Sequence, residues 1–398
     1  MSNELELGNK GDWWENRNKN AVLALIFVVM LAAKLLTMML PAKYFYDNNR
    51  IVGMVNEDMS MEAWGGSYVV AANFFRAINI FGFTSISQWS WFLGMLLTLV
   101  VFFMVLRLPE LDMVQTIFLL ACVGLLNIYV FNIGKDAIQF LFFMAVYLVL
   151  LMPIKSSAVK IVCAAIILYF ESKVFRSYYV LIAALVLAIY CILAVFRRNH
   201  RLPPAVKIII TTVTMYLLVC VMMVVASVAM HSEYEQIMGI RDYSLSSREG
   251  DVDSVTIIKN WVGGDNSTNL PLFLLNYLIN AVRMMIPFEL AIKGVQYLPF
   301  FCFQVAVTVY LAHLFGKLDE IEDETQFLAI SIFLGYVLAS ALFEPDFGSW
   351  VRHEAATFPV LHLLVFSRNQ QLSQWKRDVD RIKGRIGRHA NVARKMEA

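Results

Sequence analysis

Apolar residues fall along this chain in runs of about 17 to 25, the length that carries an α-helix across a hydrocarbon core of about 30 Å. The runs at 21–40, 88–106, 114–132, 137–153, 158–171, 177–196, 207–229, 295–315, 326–343 and 353–367 predict ten transmembrane helices, the fifth of them short. A further apolar stretch, 271–291, is interrupted by Asn276, Asn280, Arg283, Pro287 and Glu289 and predicts a re-entrant or interfacial segment rather than a lipid-facing span. The expected fold is therefore all-α, a polytopic membrane protein of about ten transmembrane helices. No internal repeat, low-complexity tract or linker divides it, so residues 1–20 read as a cytoplasmic N-terminal segment, 21–367 as one transmembrane domain and 368–398 as a basic cytoplasmic tail.

Composition agrees with this pattern. Of 398 residues 59% are hydrophobic and 16% charged, against roughly 25% charged in an average soluble domain. A formal net charge of +2 gives no basis for nucleic-acid binding. The first twenty residues, through Asp12, Trp13, Trp14 and Glu15, are polar and no small-residue cleavage site follows, so the first apolar run is expected to be a retained span. The cysteines, Cys122, Cys163, Cys191, Cys220 and Cys302, all lie inside apolar stretches, without the loop positions of a disulfide framework or the spacing of metal ligands.

Cationic residues in short loops set the orientation. Lys155 and Lys160, then Arg197, Arg198, Arg201 and Lys207, then the tail from Arg368 to Lys395 fall on one side of a ten-span count, which makes that side the cytoplasm and places both termini there. Segments 41–87, 133–136, 172–176, 230–294 and 344–352 then face outward, and 271–291 becomes periplasmic-side structure. The tail from Ser373 alternates basic and apolar residues, which suits either a helix on anionic headgroups or a solvated tail. Lys34 lies inside the first span, close enough to its end to snorkel.

The chemistry sits on the outward side. An ionisable group at a span's edge faces a cavity, a partner or the headgroups. Tyr44 to Arg50 reads as an aromatic belt and turn or as part of a site. Lys135 and Asp136, with Gln139 one turn further in, form a tight turn where the lysine could hold a phosphate or pair with its neighbour. Lys173 and Arg176 are three apart and share a face if helical, a spacing that suits a diphosphate or two snorkelling side chains, and Glu171 precedes them. The densest ionisable run holds Glu344, Asp346, Arg352, His353 and Glu354, enough for a general base, a group to orient it and an anion clamp. In the long outward loop Arg241 and Arg248 stand among mixed charges, and His231 stands alone. No glycine loop of the kind that cradles nucleotide phosphates lies on the cytoplasmic side.

The Gly-Lys-Asp turn of 134–136, the Arg-Ser-Tyr-Tyr of 176–179 and the Glu-Pro-Asp-Phe-Gly-Ser of 344–349 with Arg352 and His353 resemble the EpsG-like and Wzy-type bacterial polysaccharide polymerases, over most of the chain. The resemblance implies a GT-C-like fold in the bacterial inner membrane. It implies a glycosyltransferase that joins undecaprenyl-diphosphate-linked repeat units of an O-antigen, capsule or exopolysaccharide at the periplasmic face. Such a donor carries its own activation, so no cofactor, nucleotide or metal is expected; the partners would be the lipid-linked oligosaccharide, the bilayer and a chain-length regulator. By that carry-over Lys135, Lys173, Arg176 and Arg352 neutralise the diphosphates, and Asp346 or Glu344, with or without His353, takes the acceptor's proton. Asp136 and Glu171 are reserve bases. Arg241, Arg248 and Arg283 are further substrate-binding candidates, although the first two lack the spacing of paired periplasmic arginine loops. Three rivals stand beside this reading: an O-antigen ligase-like transferase, which differs in its acceptor; a flippase or exporter of lipid-linked glycans, which would carry polar groups near the midplane; and an acyltransferase modifying glycans, which would carry a histidine deeper in a span than His353.

Overall fold

The computed structural model describes residues 3–61, 66–108, 111–198, 202–229, 234–235, 238–239, 256–264 and 269–366. These residues are helical almost throughout, and the one β feature among them is an isolated antiparallel bridge between Ile257 and Asp346. The helices are α1 (Asn3–Met39), α2 (Tyr46–Val55), α3 (Ser67–Ile78), α4 (Ile86–Leu106), α5 (Met113–Leu125), α6 (Lys135–Leu151), α7 (Ser157–Val174), α8 (Tyr179–Arg197), α9 (Pro204–Ala229), α10 (Leu270–Met285), α11 (Phe288–Lys293), α12 (Leu298–Gly316), α13 (Glu324–Phe343) and α14 (Phe347–Ala356). After a turn at Thr357 the chain is helical again over 358–366.

Several starts follow from local chemistry. Ser85 with Gln88 and Asp112 with Gln115 form capping boxes at α4 and α5, and Ser156, Asn269 and Asp323 cap α7, α10 and α13. Each supplies a side-chain oxygen to an amide that the first helical turn leaves unpaired.

Seven helical stretches are long and apolar enough to cross a membrane: Lys19–Met39, Ile86–Leu106, Met113–Val130, Tyr179–Arg197, Pro204–Val228, Leu298–Gly316 and Glu324–Phe343. The protein is thus multi-pass. The other three expected spans are helical but less clear-cut: α6 has 17 residues, α7 carries Lys160, Glu171 and Lys173, and the last is interrupted at Thr357. The stretch expected to be re-entrant or interfacial is α10, 16 residues long, followed by a break at Ile286–Pro287 and the short α11.

The helices pack around α13. It is apolar on every side, with Phe327, Phe333 and Tyr336 buried, and it touches α6, α7, α8 and α10. A helix without a polar face belongs in the middle of a bundle. Gly335 permits the approach of α8, because a Cβ there would stand 2.7 Å from Val186 Cγ2. By contrast α9 exposes Ile209, Val213, Leu217, Val221 and Val228, as suits a helix against lipid.

Turns gather at two ends of the bundle. At one, Arg197 and Ser157 both contact Glu324, Lys207 pairs with Asp319, and Lys19 donates to the carbonyls of Leu106 and Leu108. At the other, the segments following α1, α5, α7 and α13 meet, and these hold the candidate site.

Lys34 does not snorkel. It is buried, and its ammonium donates to Asn127 O at 2.7 Å, Phe131 O at 2.8 Å and Ser90 Oγ at 3.1 Å. The acceptors are within reach because residues Leu126–Val130 continue α5 as a π-helical turn, whose wider winding leaves carbonyls outside the ordinary ladder. Gly94 makes room, since a Cβ there would lie 2.2 Å from Lys34 Cε. The amine thereby ties α1 and α4 to the turn that leads into α6.

Candidate functional site

Four chain segments carry the site, and each turns there for a local reason. The π-helical turn after α5 ends at Val130, and α6 begins with Lys135 and Asp136, the carboxylate lying in a first turn where the helix dipole favours negative charge. At the end of α7 the amides of Phe175 and Arg176 both donate to Glu171 O, at 2.8 and 3.2 Å, which closes the helix and carries Arg176 inward. α13 ends as Glu344 N donates to Ser340 O at 2.9 Å, and Pro345 cannot continue the ladder. Asp346 then caps α14, accepting from Ser349 N at 2.7 Å, and sets Arg352 and His353 one turn further on. The fourth segment is the start of α2, which brings Asp47.

The ionisable groups form one connected cluster. Asp136 is its centre: Oδ2 lies 2.9 Å from Arg352 Nε, and Oδ1 lies 3.3 Å from Arg176 Nη2 and 3.2 Å from His353 Nε2. The other ring nitrogen of His353 is 2.5 Å from Glu344 Oε1. Gln139 locks the arrangement, accepting from Arg176 Nη1 at 2.8 Å and donating to His353 O at 3.0 Å. Tyr178 accepts from the same Arg176 nitrogen at 3.1 Å. Toward the outside, Asp47 Oδ2 stands 3.2 Å from Lys135 Nζ and 3.6 Å from Arg352 Nη2, while its Oδ1 accepts from Tyr68 OH at 2.6 Å. The Lys135 ammonium also lies 3.8 Å from the centre of the Tyr68 ring.

Exposure is graded across the cluster. Asp47, Lys135 and Arg352 keep 21%, 14% and 21% of their side-chain surface accessible, against 8% for Asp136, 7% for Arg176 and 6% for Glu344. Three cations and three carboxylates are thus matched in number, with the more open pairs at the rim. The match is needed, because a charge shielded from water is tolerated only with a partner. The pairing is loose at one atom: Arg352 Nε, though close to Asp136, has no acceptor in hydrogen-bond alignment.

Burial alone would raise the carboxyl groups, but their partners outweigh it. The Lys135 and Arg352 charges, with the Tyr68 hydroxyl, hold the Asp47 pKa at about 2, and His353 and Ser349 hold Glu344 below its ordinary value. A carboxyl depressed by folding stabilises the fold above its unfolded pKa, and that contribution is lost as pH falls through the folded value. We therefore expect the thermal midpoint of the protein to fall between about pH 5 and about pH 2, with roughly 2 kcal/mol of the loss due to Asp47. Asp47→Asn should flatten that part of the curve; an unchanged slope would mean that Asp47 is not paired in solution.

The structure brings Lys135, Asp136, Arg176, Glu344, Arg352 and His353 together, while the other described candidates make different contacts. Lys173 is exposed on the last turn of α7, above the Tyr169 ring, because the helix that would have aligned it with Arg176 ends at Val174. Glu171 is fully buried one turn earlier, within electrostatic reach of Arg176 and beside the Tyr179 hydroxyl. Asp346 is occupied as a helix cap. Arg283 belongs to a different network: it pairs with Glu289, donates to Lys259 O and Asn280 Oδ1, and lies over the Trp261 ring. With Asn276 and Asn280 it clips the strap 256–262 along α10, and the other end of that strap bonds Pro345 and Phe347. Arg241, Arg248 and the basic tail lie outside the described residues.

Asp47, Tyr68, Gln139 and Tyr178 complete the site beyond the named candidates. Asp47 carried a signal, an acidic residue just past a span with Arg50 three positions on, but aromatic and turn residues around it gave an equally good structural account. Tyr68 lies in α3, where nothing in the sequence singles it out.

Among the described residues no three His, Cys, Asp or Glu side chains are grouped to hold a metal ion. A groove lies between the end of α1 and the start of α4, lined by Thr37, Met38, Phe45, Asn49, Ser90 and Trp91 among others, with none of the cluster's charged residues in its wall. It adjoins α2, the helix that presents Asp47. No family model, curated protein or solved structure matches this chain, so its residues and their geometry are the ground for a functional reading.

Proposed function

We propose that the chain is a polysaccharide polymerase of the bacterial inner membrane, transferring a glycan from a lipid diphosphate to a second lipid-linked repeat unit on the side away from the cytoplasm. The observation that carries this reading is the convergence of Lys135, Arg176 and Arg352 with the Glu344–His353 pair, from separate hairpins, at one end of an apolar bundle. Cations positioned in advance stabilise the charge that grows on a departing diphosphate, and in a site shielded from water they do so more strongly than in solution. A carboxylate that orients a histidine is an arrangement suited to taking a proton from the attacking hydroxyl. In this scheme the bond between the anomeric carbon and the diphosphate oxygen breaks, the acceptor oxygen bonds to that carbon, the acceptor's proton passes to the Glu344–His353 pair, and the diphosphate leaves with its electron pair.

The groove between α1 and α4 suits the hydrocarbon part of such a substrate, being largely apolar and adjoining the helix that carries Asp47. The two-ended arrangement of turns favours ten crossings: α6 and α7 each join a turn at the site end to one at the opposite end, which with the seven clear spans makes nine, and the helical stretch 347–366 that starts at the site end would be the tenth. Both termini would then be cytoplasmic.

The test is incubation of the purified protein with undecaprenyl-diphosphate repeat units, followed by gel separation. A ladder of products is expected from the wild type and none from Arg352→Ala. A single repeat that is neither extended nor consumed, under conditions where the protein is folded, would exclude the polymerase.

A further inference from the structure

The rim of the cluster carries a second message. Asp47 Oδ2 is shared by two cations of different origin, Lys135 at 3.2 Å and Arg352 at 3.6 Å, and these three side chains are the most accessible charged groups of the site. The carboxylate is steadied from its other oxygen by Tyr68, not by the cations alone. One oxygen atom facing an ammonium and a guanidinium is the contact that a phosphate oxygen would make at the same place. The two distances are also longer than the 2.7–2.9 Å of a tight charged hydrogen bond, and Arg352 Nε has no aligned acceptor. The cations are therefore neutralised here without being saturated.

We propose that Lys135 and Arg352 form an entry site for a phosphate group and that Asp47 is its built-in stand-in, an intramolecular anion that the ligand must displace. This deepens the function proposed above and rests on it for the identity of the natural ligand. Without the ligand, Asp47 together with Asp136 balances the two cations at the edge of the membrane, where unpaired charge is costly. When the phosphate arrives it takes over the two contacts. Asp47 swings away while held by Tyr68, on a short helix that lies outside the seven clear spans. Displacement of a matched charge makes binding selective: a neutral lipid has nothing to offer the cations in exchange, and a ligand with two phosphates has more than a ligand with one.

The consequence is unusual for a charged residue in a site, since removing it should improve binding. The experiment uses the full chain in nanodiscs of neutral phosphatidylcholine at fixed ionic strength, titrated with farnesyl diphosphate, farnesol and inorganic pyrophosphate. Asp47→Asn, which keeps an acceptor for Tyr68, should bind farnesyl diphosphate about tenfold more tightly than the wild type, the size of one charged contact. Lys135→Gln should bind it more weakly, and farnesol should bind all three proteins alike. Comparable tightening for pyrophosphate would identify a free phosphate as a sufficient ligand; tightening for farnesyl diphosphate alone would assign the site to a lipid diphosphate. Tyr68→Phe loosens Asp47 without changing charge and should tighten binding by a smaller factor, so it decides the matter if Asp47→Asn fails to fold. Unchanged or weaker binding in the folded variants, or no diphosphate binding by any of them, would overturn the proposal. Should tightening occur in a protein that makes no polymer, the anion site stands and the polymerase reading fails. Polymer formation without tightening would have the opposite meaning.

Discussion

Replacing Asp136 by Ala is expected to cost about 3–5 kcal/mol of stability, the range for removing one partner from a buried ion pair. The residue is buried and serves Arg352, Arg176 and His353 together, so its loss leaves Arg176, itself buried, without its carboxylate. Reversible unfolding in mixed micelles would measure it. A double variant, Asp136→Ala with Arg176→Gln, should recover at least about 1 kcal/mol, because the stranded charge is removed as well. A single variant within about 0.5 kcal/mol of wild type would show that the cluster is wetter and looser than its geometry.

The second large effect concerns chemistry. Glu344→Gln should lower the rate of polymer extension by about 10²–10⁴-fold, the contribution of a positioned general base, because it takes from His353 the carboxylate that orients it, while leaving the protein folded and able to bind a lipid diphosphate. Asp346→Asn makes the contrast. Asp346 was an equal candidate for the base by sequence, but its carboxylate caps α14, a role that asparagine fills as well. Extension by Asp346→Asn should stay within about threefold of wild type. If the two variants exchanged behaviours, Asp346 would be the carboxylate that serves proton transfer and the Glu344–His353 pair would lose that role.

Much of the architecture was legible because bilayer thickness imposes one length on every crossing, and apolar runs of that length stand out. The rule weakens where a helix is covered by protein: α7 can carry Glu171 and Lys173 because its surroundings are not only lipid. The site was legible to the extent that it uses charges at span edges, so Lys135, Asp136, Arg176, Glu344, Arg352 and His353 were all candidates. What the sequence withheld was geometry. Pairing Lys173 with Arg176 assumed a helix that stops at Val174, and no local pattern marks that stop. Asp346 followed by Phe347, Gly348 and Ser349 is a recognisable helix start, and this signal would have argued for a cap over a base. Lys34 defeated the sequence reading because its acceptors are backbone carbonyls of a π-helical turn, which side-chain patterns do not report.

The neutrality of the cluster also bears on how the protein is made. Asp47 follows the span Lys19–Met39 and Arg352 lies beyond Glu324–Phe343, so the carboxylate leaves the ribosome long before the guanidinium that it faces. Asp47, Lys135, Asp136 and Arg176 already balance two against two once α7 is made, and the turn between α13 and α14 brings Glu344 and Arg352 together, one of each sign. The late turn therefore adds to the cluster without tipping its charge, so an early half-set and the full set are both neutral at the membrane edge.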